Sequence, residues 1–280
     1  MKDDFYTLGG GHFWEDLFFY QKWRIQRNTL TKKCRLLDNW DIRRFEGSFE
    51  DCRKAFVDYI EAYEIARQHG HMVVMIHGLG QSKNIFKPLW REALANGFLA
   101  TAVNYPSTQK DLEGHVKQFH FFLNHLEDVE SVSFVSYGAG SLILQRLFEN
   151  SADWQTKLHL SRAVAVAPCV SGSSLLNKIA QTKFGGFVIG PMGKDLAPEK
   201  MRRIDAKVSV ETGVITTNKP VTEKIFERLM RCTVPEKSLE EIKHQLNASD
   251  ILRIEDHHFN IFKNDRVCRK VISFLQRGKF

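Results

Sequence analysis

The stretch Val132 to Arg146, VSFVSYGAGSLILQR, puts small residues where a reactive side chain would be presented. Val132, Phe134 and Val135 read as a short buried strand, Leu142 and Ile143 as the start of a helix, and Ser136 to Gly140 as a sharp turn between them. Such a turn crowds its own backbone, which accounts for Ser136 and Gly140. Its middle residue is Gly138, so nothing nucleophilic projects from it. A non-glycine residue held in a sparsely populated backbone region costs on the order of 1–3 kcal/mol, whereas glycine visits positive φ almost freely. Glycine at this position favours the fold and forgoes the chemistry. Other groups able to act in catalysis stand elsewhere in the chain. His257 and His258 follow the apolar run Ile251 to Ile254, and Cys169 follows the strand pattern Ala163 to Ala167. A cysteine beside an imidazole is a nucleophile when its thiolate forms. The alternative for Cys169 is a small buried apolar residue at a strand end. Ser136 and Ser141 flank the turn, but one belongs to the strand end and the other to the first helical turn, so neither hydroxyl is aimed at a pocket.

The elements that must position these residues alternate along the chain. Ser48 reads as an N-cap, with Phe49, Cys52, Phe56, Tyr59, Ile60 and Tyr63 at helical spacing and the helix predicted to run until Gly70. Met72 to Ile76 is a continuous apolar run suited to a strand buried on both faces, and it leads into His77-Gly78-Leu79-Gly80. A helix from Phe86 to Asn96, a strand from Leu99 to Asn104 and a helix from Leu112 to Leu126 fill the interval before Val132. That alternation predicts a parallel sheet. Gly213 to Thr216 and Ile251 to Ile254 read as later strands, Leu239 to Leu246 and Val267 to Leu275 as covering helices. Residues 170–205 form a long insertion, a lid over the site, in which Phe184, Phe187, Val188 and Ile189 either line an acyl-sized pocket or belong to local core.

Residues 1–47 precede this domain of 48–280 as an N-terminal extension. Phe13, Trp14, Leu17, Phe18, Phe19, Tyr20 and Trp23 lack a 3.6-residue period and read as strands packed on the main domain. The neighbouring Lys22, Arg24, Arg27, Lys32 and Lys33 keep membrane-surface contact open as a second reading, because aromatics beside cations suit a headgroup interface.

Composition narrows the function classes. The 280 residues are 43% hydrophobic and 26% charged, which fits one globular α/β domain with an extension. A net charge of +7 is dispersed among nearly as many acids as bases, so nucleic acid is not an expected partner. Five cysteines without CxxC spacing predict neither a disulfide framework nor a zinc site, and no metal or cofactor motif is found. A reducing, cytoplasmic setting is expected, with no leader and no apolar run near ~18 residues.

Taken in order, HGLGQSKNIFKPL at 77–89, VNYPS at 103–107, VSFVSYGAGSL at 132–142, RAVAVAPCVSGS at 162–173 and FVIGPMGKDL at 187–196 resemble bacterial lipase- or esterase-like α/β hydrolases over about residues 72–275. The resemblance implies an α/β-hydrolase fold, a mostly parallel sheet covered by helices on both faces. It makes the turn at 136–140 a nucleophile elbow with its serine replaced by Gly138. Leu79 or Gly80, with Ala139, then correspond to the backbone donors that face a developing oxyanion. His257 matches the family's histidine, with His258 one residue away as the alternative.

Thr233-Val234-Pro235 resembles the stretch after the family's N-D-G, which aligns Met230, Arg231 and Cys232 with those residues and puts Arg231 in the acid's position. Glu236, Asp250 and Glu255 are alternative acids. A guanidinium there would oppose imidazolium formation, and a chain without the serine has little use for the acid. The implied function is a pseudoenzyme that binds a small acyl or anionic ligand, or a protein partner, in the old cleft. The alternatives are a hydrolase using Cys169 with His257, and a peripheral membrane scaffold.

Overall fold

The computed structural model describes residues 13–149, 152–169, 178–196, 208–217, 239–255 and 258–280. Six parallel strands form the central sheet: β5 (His71–Ile76), β6 (Leu99–Ala102), β7 (Ser131–Tyr137), β8 (His159–Val166), β9 (Glu211–Thr217) and β10 (Ala248–Ile254), in the order β10-β9-β8-β7-β5-β6. The apolar run of β5 is divided between two cores. Met72, Val74 and Ile76 face one, Val73 and Met75 the other. The same alternation holds in β7 and β8, where Phe134 and Ala165 join the first cluster while Val135 and Val164 join the second. A strand covered on both faces needs no polar side, which is why these segments are uninterrupted in apolar character.

Helices α3 (Leu112–Asn124), α4 (Gly140–Leu147) and α5 (Asp153–Lys157) contribute to the first core, and α2 (Lys87–Ala95) with the closing helix Asp265–Arg277 to the second. The helix α1 (Phe49–Ala62) begins as the sequence predicts. Ser48 Oγ accepts from the Asp51 amide at 3.1 Å, and the Asp51 carboxylate accepts from the Ser48 amide at 3.2 Å. It ends at Ala62 and not at Gly70, because Glu64 turns to a φ of 48° and the Ile65 amide folds back to the Ile60 carbonyl.

The aromatic N-terminal stretch forms an antiparallel sheet of β1 (Trp14–Tyr20), β2 (Trp23–Asn28), β3 (Cys34–Leu37) and β4 (Arg43–Gly47). A bulge between Asp16 and Phe18 turns Leu17 and Phe18 to the same side, against α1, while Phe19 joins the core of the six-stranded domain. The seam is polar where it meets β6. The Asp16 carboxylate accepts from Gln26 Nε2 at 2.7 Å and from the Asn104 amide at 2.6 Å, and the Asp16 amide donates to the Asn104 carbonyl. Glu15, fully buried, receives Arg27 at 2.7 Å and Lys110 from the loop before α3.

Hydrogen bonds to a charged group are each worth about 1.5–3 kcal/mol, and removing Asp16 orphans two buried donors. Asp16→Ala is therefore expected to lower unfolding free energy by on the order of 3 kcal/mol in urea titration. A loss under ~1 kcal/mol would show the seam to be an incidental contact.

Candidate functional site

The turn after β7 has the geometry of an elbow. Gly138 adopts a φ of 53° and is buried, and its amide still extends the ladder to the Val166 carbonyl at 3.1 Å. Three donors fix its carbonyl: the Ser141 amide at 3.1 Å, Ser141 Oγ at 2.7 Å and the Cys169 amide at 3.2 Å. The Ser141 hydroxyl is thus engaged with the backbone and accepts from the Cys169 amide as well. Ser136 is buried in the strand. A Cβ placed on Gly138 would find only the Gly78 Cα, at 3.9 Å, so a side chain has space at this position. One on Gly140 would stand 2.5 Å from the His77 carbonyl and 2.6 Å from that of Ile76. The two glycines therefore answer different demands, backbone angle at 138 and close approach at 140.

The turn after β5 lies alongside, since Ile76 pairs with Ser136 in register. Its Gly80 amide donates to Ser107 Oγ at 3.0 Å, which leaves Leu79 as the free donor of the pair suggested by sequence. Among the described residues, neither the Leu79 nor the Ala139 amide donates a hydrogen bond. Both residues are nearly closed to solvent, at 5% and 4% exposure. Backbone amides of buried residues are nearly always paired, so two without partners call for an acceptor.

Behind the turn stands a group of rings to which the sequence assigns no role. His77 stacks on Tyr105 with centroids 4.0 Å apart, the Tyr105 hydroxyl donates to the His77 carbonyl, and His115 meets the Tyr105 ring edge-on at 4.9 Å. Tyr105 and Ser107 belong to VNYPS, so proximity to HGLG in the fold was their only available signal. Burial, then the nearby Lys110 and His77, push the His115 imidazole down to about 3, against a weak opposing pull from the Ser107 and Lys110 carbonyls.

The unfolded chain protonates this histidine below about pH 6.5 and the folded one does not until about 3, so the unfolded state holds more protons in that window. His115 thus stabilises the fold fully above about pH 6.5, and that stability drains away as pH falls towards 3, by on the order of 1 kcal/mol per unit. His115→Phe is expected to flatten the acid limb of a stability-against-pH curve; an unchanged limb would place the acid sensitivity elsewhere.

The insertion is described from 178 to 196 and carries two short helices, Lys183–Ile189 and Pro191–Asp195. Asp195 Oδ2 accepts the Leu112 amide at 3.0 Å and so ties the segment to the start of α3. Ala180, Ile189, Met192 and Leu196 are buried in the same apolar cluster as Leu79, Ala139 and Leu142. Ile189 is thus core here, while the side chains of Phe184, Phe187 and Val188 lie outside the described residues.

Other residues singled out by sequence fare differently. Arg231, Glu236 and His257 lie outside the described residues, and His258 opens the 3-10 helix His258–Lys263 with its side chain outside them. Asp250 sits near the start of β10, at the opposite rim from the elbow, where its carboxylate accepts the Phe280 amide at 3.1 Å. Glu255 follows β10 and is exposed.

Cys169 is 1% exposed and its sulfur is held in a disulfide, so it presents no thiolate. This corrects both the Cys169 nucleophile and the expectation that the cysteines carry no disulfide, which spacing alone could not reveal. Cys34, Cys52 and Cys268 are free thiols. Because structural disulfides persist in oxidising surroundings, the cysteines no longer argue for a reducing one. Among the described residues, no group of three metal-ligating side chains forms and no helix is long and apolar enough to cross a membrane.

No protein-family model matches the chain, and no curated protein sequence does. Solved structures do match. An esterase from Exiguobacterium antarcticum aligns over 74% of this chain and 92% of its own at 13% identity, with a TM-score of 0.53. A lipase-esterase related protein from Clostridium acetobutylicum aligns over 75% of this chain and 96% of its own at 12% identity, with a TM-score of 0.48. Tomato methylketone synthase I aligns over 76% and 100% at 12% identity, with a TM-score of 0.47. At such identities the likeness is one of fold. The largely parallel sheet flanked by helices resembles that of the lipase and esterase α/β hydrolases.

Proposed function

We propose that this chain is a hydrolase-fold protein that binds a carboxylate-bearing acyl ligand in place of cleaving an ester. One observation carries the reading: the turn has a φ of 53° and a fixed carbonyl at Gly138, while the amides of the buried residues Leu79 and Ala139, on the two neighbouring turns, donate to no acceptor. An anion accepting from two such amides gains charge-assisted hydrogen bonds in a site closed to water. The apolar side chains of Leu142, Ile189 and Met192 in the same cluster suit the ligand's tail. With glycine at the elbow, no hydroxyl attacks, and Arg231, where the resemblance places an acid, favours holding the anion.

Octanoate should bind measurably by calorimetry, and octanol about tenfold more weakly or worse, because it lacks the anion. Ala139→Pro deletes one donor at a position whose φ of −65° suits proline, and is expected to weaken octanoate about tenfold. No octanoate binding, or equal affinity in a folded Ala139→Pro variant, would remove the basis of this reading. A protein partner occupying the cleft is the second reading, and it would leave octanoate without effect.

A further inference from the structure

The turn between β3 and β4 holds two large apolar side chains out in water. Trp40 is 78% exposed and Ile42 52%, and both stand on a tightly built support. Asp38, 2% exposed, accepts from the Trp40 and Ile42 amides at 2.9 Å each and from Arg44 Nε at 2.8 Å, while the Asp38 amide donates to the Ile42 carbonyl at 3.0 Å. Burial works against the Asp38 charge, but the two amides and the guanidinium outweigh it and hold the carboxyl below its ordinary range. A buried carboxylate is thus committed to fixing a turn that holds Trp40 and Ile42 at the surface. Isolated exposed apolar residues are ordinary, but a tryptophan and an isoleucine held together at one rigid tip are not.

The antiparallel meander places this tip. Arg24 pairs with Leu37, and Leu37 with Arg43, so the β1–β2 turn at Gln21 and Lys22 and the Trp40 turn lie at one end of the sheet. Lys22 is exposed there, and Arg43, its side chain 62% exposed, follows directly after Ile42. The acids nearby are already answered: Asp38 by Arg44, Asp41 by Lys83 at 3.6 Å, and Glu46 by Arg43 at 2.7 Å. Lys22, whose ammonium lies 5.4 Å from the centre of the Trp90 ring, is a positive charge in excess of these pairs. The Asp41–Lys83 contact also puts the tip beside the 3-10 turn Lys83–Phe86, which follows the HGLG turn in the chain.

We infer that Trp40 and Ile42, with Lys22 and Arg43 beside them, form a docking tip for an anionic lipid surface. An exposed tryptophan suits the headgroup boundary, and basic side chains add attraction to anionic lipid that fades with salt. The aromatic run at 13–23 does not supply this contact, because Leu17, Phe18, Phe19, Tyr20 and Trp23 are buried.

The test uses the full chain and vesicles of phosphatidylcholine alone or with a third phosphatidylglycerol. Wild type is expected to co-sediment with the anionic vesicles, to release as salt is raised, and to show a blue shift in tryptophan emission. Trp40→Ala with Ile42→Ala should weaken binding about tenfold or more without moving the melting temperature, since both side chains face water. Lys22→Glu should weaken it on anionic vesicles while leaving the apolar tip in place. Failure of wild type to bind anionic vesicles overturns the inference, as does equal binding by the folded double variant. So does concentration-dependent self-association through the tip without vesicle binding, which would make it a contact between proteins.

Discussion

Gly140→Ala is expected to cost on the order of 4 kcal/mol of stability, while Gly138→Ala, two residues earlier, costs about 1–2 kcal/mol. The new methyl at 140 would press on the His77 and Ile76 carbonyls at 2.5 and 2.6 Å, and both belong to β5 and the turn after it, paired with β7. Neither can yield without breaking pairing to β7 or moving the HGLG turn. At 138 the nearest atom is 3.9 Å away, so only the φ of 53° is charged to the variant. Urea titration of the two variants measures the difference directly. Equal costs would mean that the two turns are not in contact, and the site built from them would fall.

The parallel core was legible because its strands are short apolar runs separated by helical periods. HGLG and the elbow were legible for a related reason: small residues recur where backbones crowd. The N-terminal sheet was less so. Leu17, Phe18, Phe19 and Tyr20 are all buried, since one side meets α1 and the other the main core, so the period of two that marks a half-exposed strand was erased. The buried Glu15 and Asp16 hid it further, because a carboxylate pair reads as surface until Arg27, Lys110, Gln26 and Asn104 are seen around it. Its aromatic residues Phe18, Phe19, Tyr20 and Trp23 are buried, and the exposed tryptophan, Trp40, lies beyond the basic run. The end of α1 turned on one backbone angle at Glu64, and no CxxC spacing marks the disulfide at Cys169. Neither leaves a local pattern.

A nucleophile introduced at position 138 is the second large effect. In a serine protease, loss of the nucleophile costs about a millionfold in turnover, most of which returns only if base and acid are also competent. Gly138→Ser has space for its side chain and pays only the backbone strain that an elbow imposes on any serine there. Alone it is expected to do little on the proposed reading, which puts Arg231 in place of a carboxylate that would stabilise imidazolium. Combined with Arg231→Asp it should act, through His257 as base and the Leu79 and Ala139 amides as oxyanion donors.

The measurement that bears most directly on this account is therefore ester hydrolysis, on short- and medium-chain acyl substrates, by wild type, Gly138→Ser and Gly138→Ser with Arg231→Asp. The account predicts an inert wild type and a double variant at least about a hundredfold above it, with that gain lost on His257→Ala. Ester turnover by the wild-type protein that vanishes with His257→Ala would contradict it.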